Sequence, residues 1–205
     1  WFLFVKSEGD LNQLELEVMA EFHQWLRTVE TTALNKSYKM IVLRVLLDHG
    51  ELFGDADLYS LARKCRQFLR DHPVLRQDLA GERHATDHEH ADDDTWAAWW
   101  MNWPIGRWLD SQNGKKWFRR SDNNFVFKVE CPQKWHACLE SLTEELVDWR
   151  LAAYSKSHGF VDIEQNETAF QAKVSHRNGR PILFVPEKSK CPGRPVGPTA
   201  VQLPD

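Results

Sequence analysis

Arg107, Lys115, Lys116, Arg119 and Arg120 crowd five cations into one short stretch of this chain. Cations at that density suit the neutralisation of phosphate oxygens, where each contact releases counterions and makes binding salt-dependent. Trp103 precedes Pro104 in the same stretch, and an exposed indole there can stack on, or wedge against, a sugar or base. Asn113, Asn123 and Asn124 can hydrogen-bond phosphates or base edges. A second basic stretch runs from Lys173 to Arg194, whereas acidic residues crowd the first 30 positions and Asp87 to Asp94. The formal net charge of −4 excludes a surface that attracts nucleic acid everywhere, so any polyanion contact belongs to the two basic stretches. The competing reading of the same cations is a solvated face, or a guard against unwanted strand pairing.

Other chemistries find less support. There is no glycine-rich phosphate loop and no G-x-S-x-G. A histidine–lysine nuclease pair is absent, Glu187-Lys188 lacks the spacing of a strand-borne nuclease motif, and Glu167 with Gln171-Ala172-Lys173 does not fit it either. Cys131 and His136 stand five positions apart at a helix start, a coincidence rather than a thiol–imidazole pair. His84, His88 and His90, with Asp87 and Asp92 to Asp94, resemble metal ligands on paper, and a helix would put His84 and His88 on one face. Gly81, Thr86 and the acidic run argue instead for a solvated polar loop, so no metal and no cofactor is expected, and the fragment is expected not to be an enzyme. The four cysteines, Cys65, Cys131, Cys138 and Cys191, contain no C-x-x-C pair, which argues against structural zinc. With no signal peptide and no apolar run of about 18 residues, they fit a reducing cytoplasm and no membrane.

The elements that must hold the basic stretch are legible from periodicity. Apolar residues at 11, 14, 18, 22, 25, 26 and 29 predict one amphipathic helix from Leu11 to Val29. A second helix, Tyr38 to Asp48, is capped by Asn35 or Ser37, ends at His49-Gly50, and is apolar almost all round, which places it at the centre of a bundle. Asp55 or Asp57 caps a third, to about Arg70, ended by Pro73. Thr95 caps a short helix through Trp96, Trp99 and Trp100, and Pro104 opens another to Asp110. Lys116 to Arg120 and Phe125 to Val129 alternate about the turn Ser121-Asp122-Asn123-Asn124 and predict a hairpin. Pro132 opens a long helix to about His158-Gly159 with an apolar stripe of Trp135, Cys138, Leu139, Leu142, Leu146, Trp149 and Ala153. Phe170 to His176 and Arg180 to Val185 then flank Arg177-Asn178-Gly179 as a second hairpin, with Pro181 marking an edge strand.

The expected organisation is a helical, winged-helix-like domain over 1–160 and a β-rich segment over 161–205. Helices, a short helix and a hairpin in succession over 34–129 give a mainly α fold with a β-hairpin wing, in which the short helix enters the major groove and the wing touches the backbone. The DNA-contacting residues would be Trp103, Arg107, Lys115, Lys116, Arg119 and Arg120. Eight of the ten tryptophans fall between Trp96 and Trp149, and they read as core unless exposed. Exposed ones would instead dock a partner protein. The chain opens on Trp1-Phe2-Leu3-Phe4-Val5 without an initiator methionine and ends at Leu203-Pro204-Asp205, which reads as an excised fragment.

The segment Leu34-Asn35-Lys36-Ser37-Tyr38-Lys39-Met40-Ile41-Val42-Leu43 resembles a stretch downstream of the motor in large bacterial DEAD/DEAH-box helicase-like proteins. The likeness continues in Asn102-Trp103-Pro104-Ile105, Lys116-Trp117-Phe118, Glu145 to Leu151 and Gly179 to Pro186. It implies an accessory, non-motor domain of a nucleic-acid-dependent ATPase in phage restriction, with double-stranded DNA and the rest of the parent polypeptide as partners. A looser resemblance is to the sulfur-binding domains of phosphorothioate-dependent restriction enzymes, with Trp103-Pro104 and Arg107 at the matching positions. The chain departs from that pattern by lacking a His-Arg pair there and by inserting the acidic loop.

Overall fold

The computed structural model describes residues 5, 9, 11–80, 91–110, 114, 116–160, 173–177, 180–184 and 195–196. The protein is mostly helical and carries a small three-stranded antiparallel sheet. The first helices are α1 (Gln13–Glu21) and α2 (His23–Thr31). Asn12 starts α1 through a reciprocal capping box with Glu15. The single helix expected from Leu11 to Val29 is broken at Phe22, whose backbone (φ −97°, ψ 19°) leaves the helical region. There the Phe22 ring meets Trp135 edge-on at 6.0 Å, a tertiary contact that outweighs local propensity. The break leaves Leu14, expected to face inward, 42 % exposed.

Helix α3 (Tyr38–Asp48) is the buried central helix, with Tyr38, Met40, Ile41, Val42, Leu43, Val45 and Leu46 all inside. The side chain of Ser37 does not cap it. Instead the Ser37 N–H donates to the buried carboxylate of Asp78 (2.6 Å). The Tyr154 hydroxyl donates to the same carboxylate (2.8 Å), while Lys36 Nζ (2.7 Å) and the Tyr38 hydroxyl (3.0 Å) donate to the Asp78 carbonyl. One aspartate thus ties the start of α3 to the far end of the long helix α8 (Gln133–Ser157). Arg44 adds a second tie between the two helices, pairing with Asp48 (2.7 Å), Glu144 (2.7 Å) and Asp148 (3.1 Å). Burial alone would lower its pKa, but the charges of Asp148, Asp48 and Glu144 and the hydrogen bond from Glu144 raise it.

Strand β1 (Asp55–Asp57) leads into α4 (Leu58–Asp71), which Asp57 caps by accepting from the Ser60 N–H at 2.8 Å. The sequence reading has no strand here, because three residues with alternate burial are too short to show a period. Pro73 begins the single turn α5 (Pro73–Arg76). Helix α6 (Asp93–Trp100) is capped by Asp92 rather than Thr95: Asp92 accepts from both the backbone N–H (2.7 Å) and the hydroxyl (3.0 Å) of Thr95. It runs directly into a π-turn (Met101–Ile105) and α7 (Gly106–Asp110). Pro104 therefore lies inside a continuous helical run instead of opening a new helix. The wider π register accommodates a residue that has no N–H to donate.

The hairpin is formed by β2 (Phe118–Ser121) and β3 (Asn124–Phe127), paired Phe118 to Phe127 and Ser121 to Asn124 about Asp122 and Asn123. Strand β1 adds on the other side of β3, giving the order β1-β3-β2. The core converges on Trp25 of α2. Its ring lies 4.8 Å from Phe127, 5.5 Å from Trp117, 5.8 Å from Phe118 and 6.2 Å from Trp108, and its Nε1–H donates to the buried Thr143 hydroxyl at 3.0 Å. The apolar stripe of α8 is rotated from the expected one. Leu139, Leu142, Thr143, Leu146, Val147, Leu151 and Tyr154 are buried, while Trp135, Cys138 and Trp149 are half-buried.

Beyond residue 172, β4 (Lys173–Arg177) and β5 (Arg180–Phe184) pair antiparallel as expected, with Arg177 opposite Arg180. The expected edge position of β5 is corrected by β6 (Pro195–Val196), which makes β5 the central strand. Strand β6 faces only Leu183 and Phe184, so Pro181 lies where no third strand asks for its missing N–H.

Candidate nucleic-acid interface

The platform beneath the basic stretch is built by α4 and α6. The Trp96 Nε1–H donates to the Ala62 carbonyl (2.9 Å), and the Trp96 ring stacks on Trp100 at 5.1 Å. Arg66 sits 5.3 Å over Trp96 and reaches Asp93 (3.0 Å) and the Ala91 carbonyl (2.7 Å), while Arg63 takes the other Asp93 oxygen (2.9 Å). These bonds spend the acidic first turn of α6 on α4. On α7, the Trp108 Nε1–H donates to the Lys39 carbonyl (3.1 Å), and its ring packs 5.4 Å from Phe118 of β2. Helix and hairpin are thereby locked together through buried aromatic rings.

Between them runs an open groove of about 490 Å³. Met101, Asn102, Gly106, Leu109 and Asp110 form one wall; Phe118, Arg119, Arg120 and Lys128 form the other. Strand β2 is an edge of its sheet, so its outward side chains rim the groove. The rim holds three cations against one carboxylate, Asp110. Arg120 is exposed and donates from Nε to the Asp122 carbonyl (2.8 Å), and Arg119 is exposed opposite Val126.

Trp103 is the most exposed large apolar residue among those described, at 52 %. Pro104 and Ile105 beside it are buried and hold the π-turn, while the Arg107 guanidinium lies 4.7 Å over the Trp103 ring. Such an exposed cation–π contact is worth about 0.5–1 kcal/mol and fixes one face of the indole, leaving the other to a ligand.

Two of the six expected contact residues, Arg119 and Arg120, line the groove; Trp103 and Arg107 belong to the helical run that forms its wall but are not among its lining residues. Lys116 does not line it, because its ammonium donates to the Gln24 side chain of α2 and lies 5.0 Å over Trp117. Lys115 and Asn113 lie outside the described residues, as does the loop with His84, His88 and His90. Among the described residues no cluster could hold a metal ion. Asn123, expected to face a ligand, donates its amide to the Asp57 carboxylate (3.1 Å) and so ties the hairpin turn to the α4 cap. The sequence reading missed Asn102 and Lys128. Alternation would have found Lys128, since Phe125 and Phe127 face inward and leave Val126 and Lys128 outward.

A larger crevice, about 730 Å³, lies among Phe22, Phe53, Phe127, Trp135 and His136. Its charged lining is Glu21 and Glu130 with no lysine or arginine, which suits no polyanion. His136 stacks on Phe53 at 3.9 Å, and its Nε2 meets the Cys131 carbonyl (2.9 Å) rather than the thiol. Burial, with the neighbouring Cys138 and Glu140, raises the Cys131 pKa, the opposite of what a nucleophile needs.

Comparison with protein-family models, curated proteins and solved structures finds no match to this chain. Among the described residues no helix is long and apolar enough to cross a membrane.

Proposed function

We propose that this chain is a DNA-contacting accessory module of a bacterial helicase-type or restriction-type defence protein, and that it works by holding duplex backbone rather than by catalysis. The observation that carries the reading is the groove, where Arg119, Arg120 and Lys128 of the hairpin face the π-turn and α7. A winged-helix interpretation of the fold agrees with this reading. The order α3, β1, α4, α6–α7, β2, β3 with a β1-β3-β2 sheet puts a short helix beside a hairpin whose outer edge is basic. In this arrangement Asn102, Trp103 and Arg107 approach the groove of the duplex, and Arg119, Arg120 and Lys128 contact phosphates.

The burial of the tryptophans weighs against the partner-docking alternative. Trp96, Trp100, Trp108 and Trp117 are core and Trp99, Trp135 and Trp149 are half-buried, so Trp103 is the one exposed tryptophan among the described residues. The phosphorothioate alternative keeps an exposed apolar ring beside Arg107 but loses Pro104, which is buried.

The test uses the groove's own carboxylate. Asp110→Asn removes the one charge there that repels phosphate, and Arg119→Ala with Arg120→Ala removes two that attract it. Duplex binding followed by fluorescence anisotropy at fixed salt should strengthen in the first variant and weaken in the second. Unchanged affinity in both would overturn the proposal.

A further inference from the structure

The crevice of about 730 Å³ shares no lining residue with the basic groove. Four separate pieces of chain build it: the break between α1 and α2, the turn after α3, the end of β3 and the first turn of α8. Its walls are aromatic. Phe127 packs on Trp25 at 4.8 Å, Phe53 lies 5.8 Å from Phe127 and stacks on His136 at 3.9 Å, and Phe22 meets Trp135 edge-on at 6.0 Å. Phe22 and Phe127 are buried, so the core fixes these two rings, whereas Phe53, Trp135 and His136 are half-buried in the crevice wall. The space falls within the range of about 300–1,000 Å³ usual for small-molecule sites.

Both carboxylates of the lining, Glu21 and Glu130, are exposed. A lone carboxylate on an open surface is ordinary. Two of them on an aromatic hollow without a lysine or arginine give it one sign of charge, and aromatic faces attract that same class of ligand, a cation. The positive end of α8 also reaches the crevice at Pro132, but it amounts to about half an elementary charge against two full ones. Lys134 places its ammonium 5.0 Å over the Trp135 ring without lining the crevice, so that indole already meets a cation on one side. A bare metal ion does not suit the place, because no cluster of described residues could hold one. The Cys131 carbonyl, a further acceptor here, is taken by His136 at 2.9 Å. A strongly hydrated primary ammonium would therefore lose more water than the crevice replaces, whereas an alkylated one has less to lose.

We propose that this crevice binds a small organic cation, an alkylated ammonium carried on an apolar or aromatic body, with the rings around the body and Glu21 and Glu130 facing the charge. The proposal stands apart from the duplex reading, since it uses none of the groove's side chains.

The probe is benzyltrimethylammonium, set against neutral benzyl alcohol and anionic phenylacetate at matched ionic strength. Binding is followed by calorimetry and by the NMR shift of the Trp135 indole N–H, assigned through its disappearance in Trp135→Phe. Saturable binding is expected for the cation, with the alcohol weaker and the anion weakest. Glu21→Gln and Glu130→Gln should each weaken the cation about fivefold and the double variant further, with no change in alcohol binding. These side chains are exposed, so the folded state is kept, and circular dichroism checks it. Trp135→Leu should lose about tenfold while Trp135→Phe keeps most of the affinity. Arg119→Ala/Arg120→Ala should bind the cation as the native protein does, so a failure of the duplex reading leaves this result standing. No saturable binding of the cation, equal binding of benzyl alcohol, or undiminished affinity in the double glutamine variant would overturn the proposal.

Discussion

Asp78 offers the sharpest test of how the fold is held. Its carboxylate is only 2 % exposed and accepts from the Ser37 N–H and the Tyr154 hydroxyl. Asp78→Ala leaves both donors buried without their acceptor, at about 1–3 kcal/mol each, and strips Lys36 of the carboxylate 3.8 Å away. The half-buried Lys36 pair is long at 3.8 Å and adds a smaller share, so the expected loss is about 3–5 kcal/mol, a large share of the stability of a domain this size. Tyr154→Phe removes one donor and should cost about 1 kcal/mol. Equilibrium urea unfolding, read by tryptophan fluorescence and by far-ultraviolet circular dichroism, measures both. A loss below 1 kcal/mol for Asp78→Ala would refute the claim that this carboxylate joins the start of α3 to the end of α8. The same contact predicts a pH dependence. Burial, then the hydrogen bond and charge of Asp78, raise the Tyr154 pKa above the ordinary tyrosine value of about 10. The folded state then holds its phenolic proton after the unfolded state has released it. This contribution is complete below pH of about 10 and is lost as pH rises from there toward the folded value. Tyr154→Phe should flatten that alkaline decline.

Further expectations concern the core and the π-turn. Trp25→Ala removes the ring on which α2, α7, β2, β3 and α8 meet and should cost about 3–5 kcal/mol by denaturant unfolding; a loss under 1 kcal/mol would contradict its central place. At Gly106 an added Cβ would stand 3.0 Å from the Met101 carbonyl oxygen, so Gly106→Ala should lower the melting temperature despite alanine's helix preference of about 1 kcal/mol, and a rise would contradict the tight turn. Trp103→Ala should leave stability within about 0.5 kcal/mol, because the ring is half exposed, while weakening duplex binding measurably; unchanged binding would remove Trp103 from the interface.

Much of the scaffold was legible because its signals are long or chemically distinctive. The apolar run from Tyr38 to Leu47 predicts a buried helix, the spacing after Pro132 predicts α8, and the Asn-Gly signal predicts the antiparallel pairing of β4 with β5. The errors fall where tertiary contacts decide. Phe22 breaks a helix that periodicity continues, because its ring packs on Trp135. Pro104 reads as a helix start, yet a π-turn lets the helix pass through it. Strand β1 is three residues long and exists through pairing with β3, a partner remote in sequence. The candidate groove was half legible. Charge density identified Arg119 and Arg120, and apolar alternation would have added Lys128. Nothing local could show that Lys116 turns to Gln24, since that depends on how separate elements pack. Within the Leu34 to Leu43 segment that carries the resemblance, Lys36, Ser37 and Tyr38 serve Asp78, a structural contact that no local pattern announces.

The salt dependence of duplex binding tests the central claim most directly. The logarithm of the association constant should fall linearly with the logarithm of salt concentration, and each phosphate contact contributes a slope of about −0.9. Arg119→Ala/Arg120→Ala should make that slope shallower by about 2, with affinity reduced across unrelated duplex sequences alike. An identical slope and affinity in native and variant protein would contradict the account.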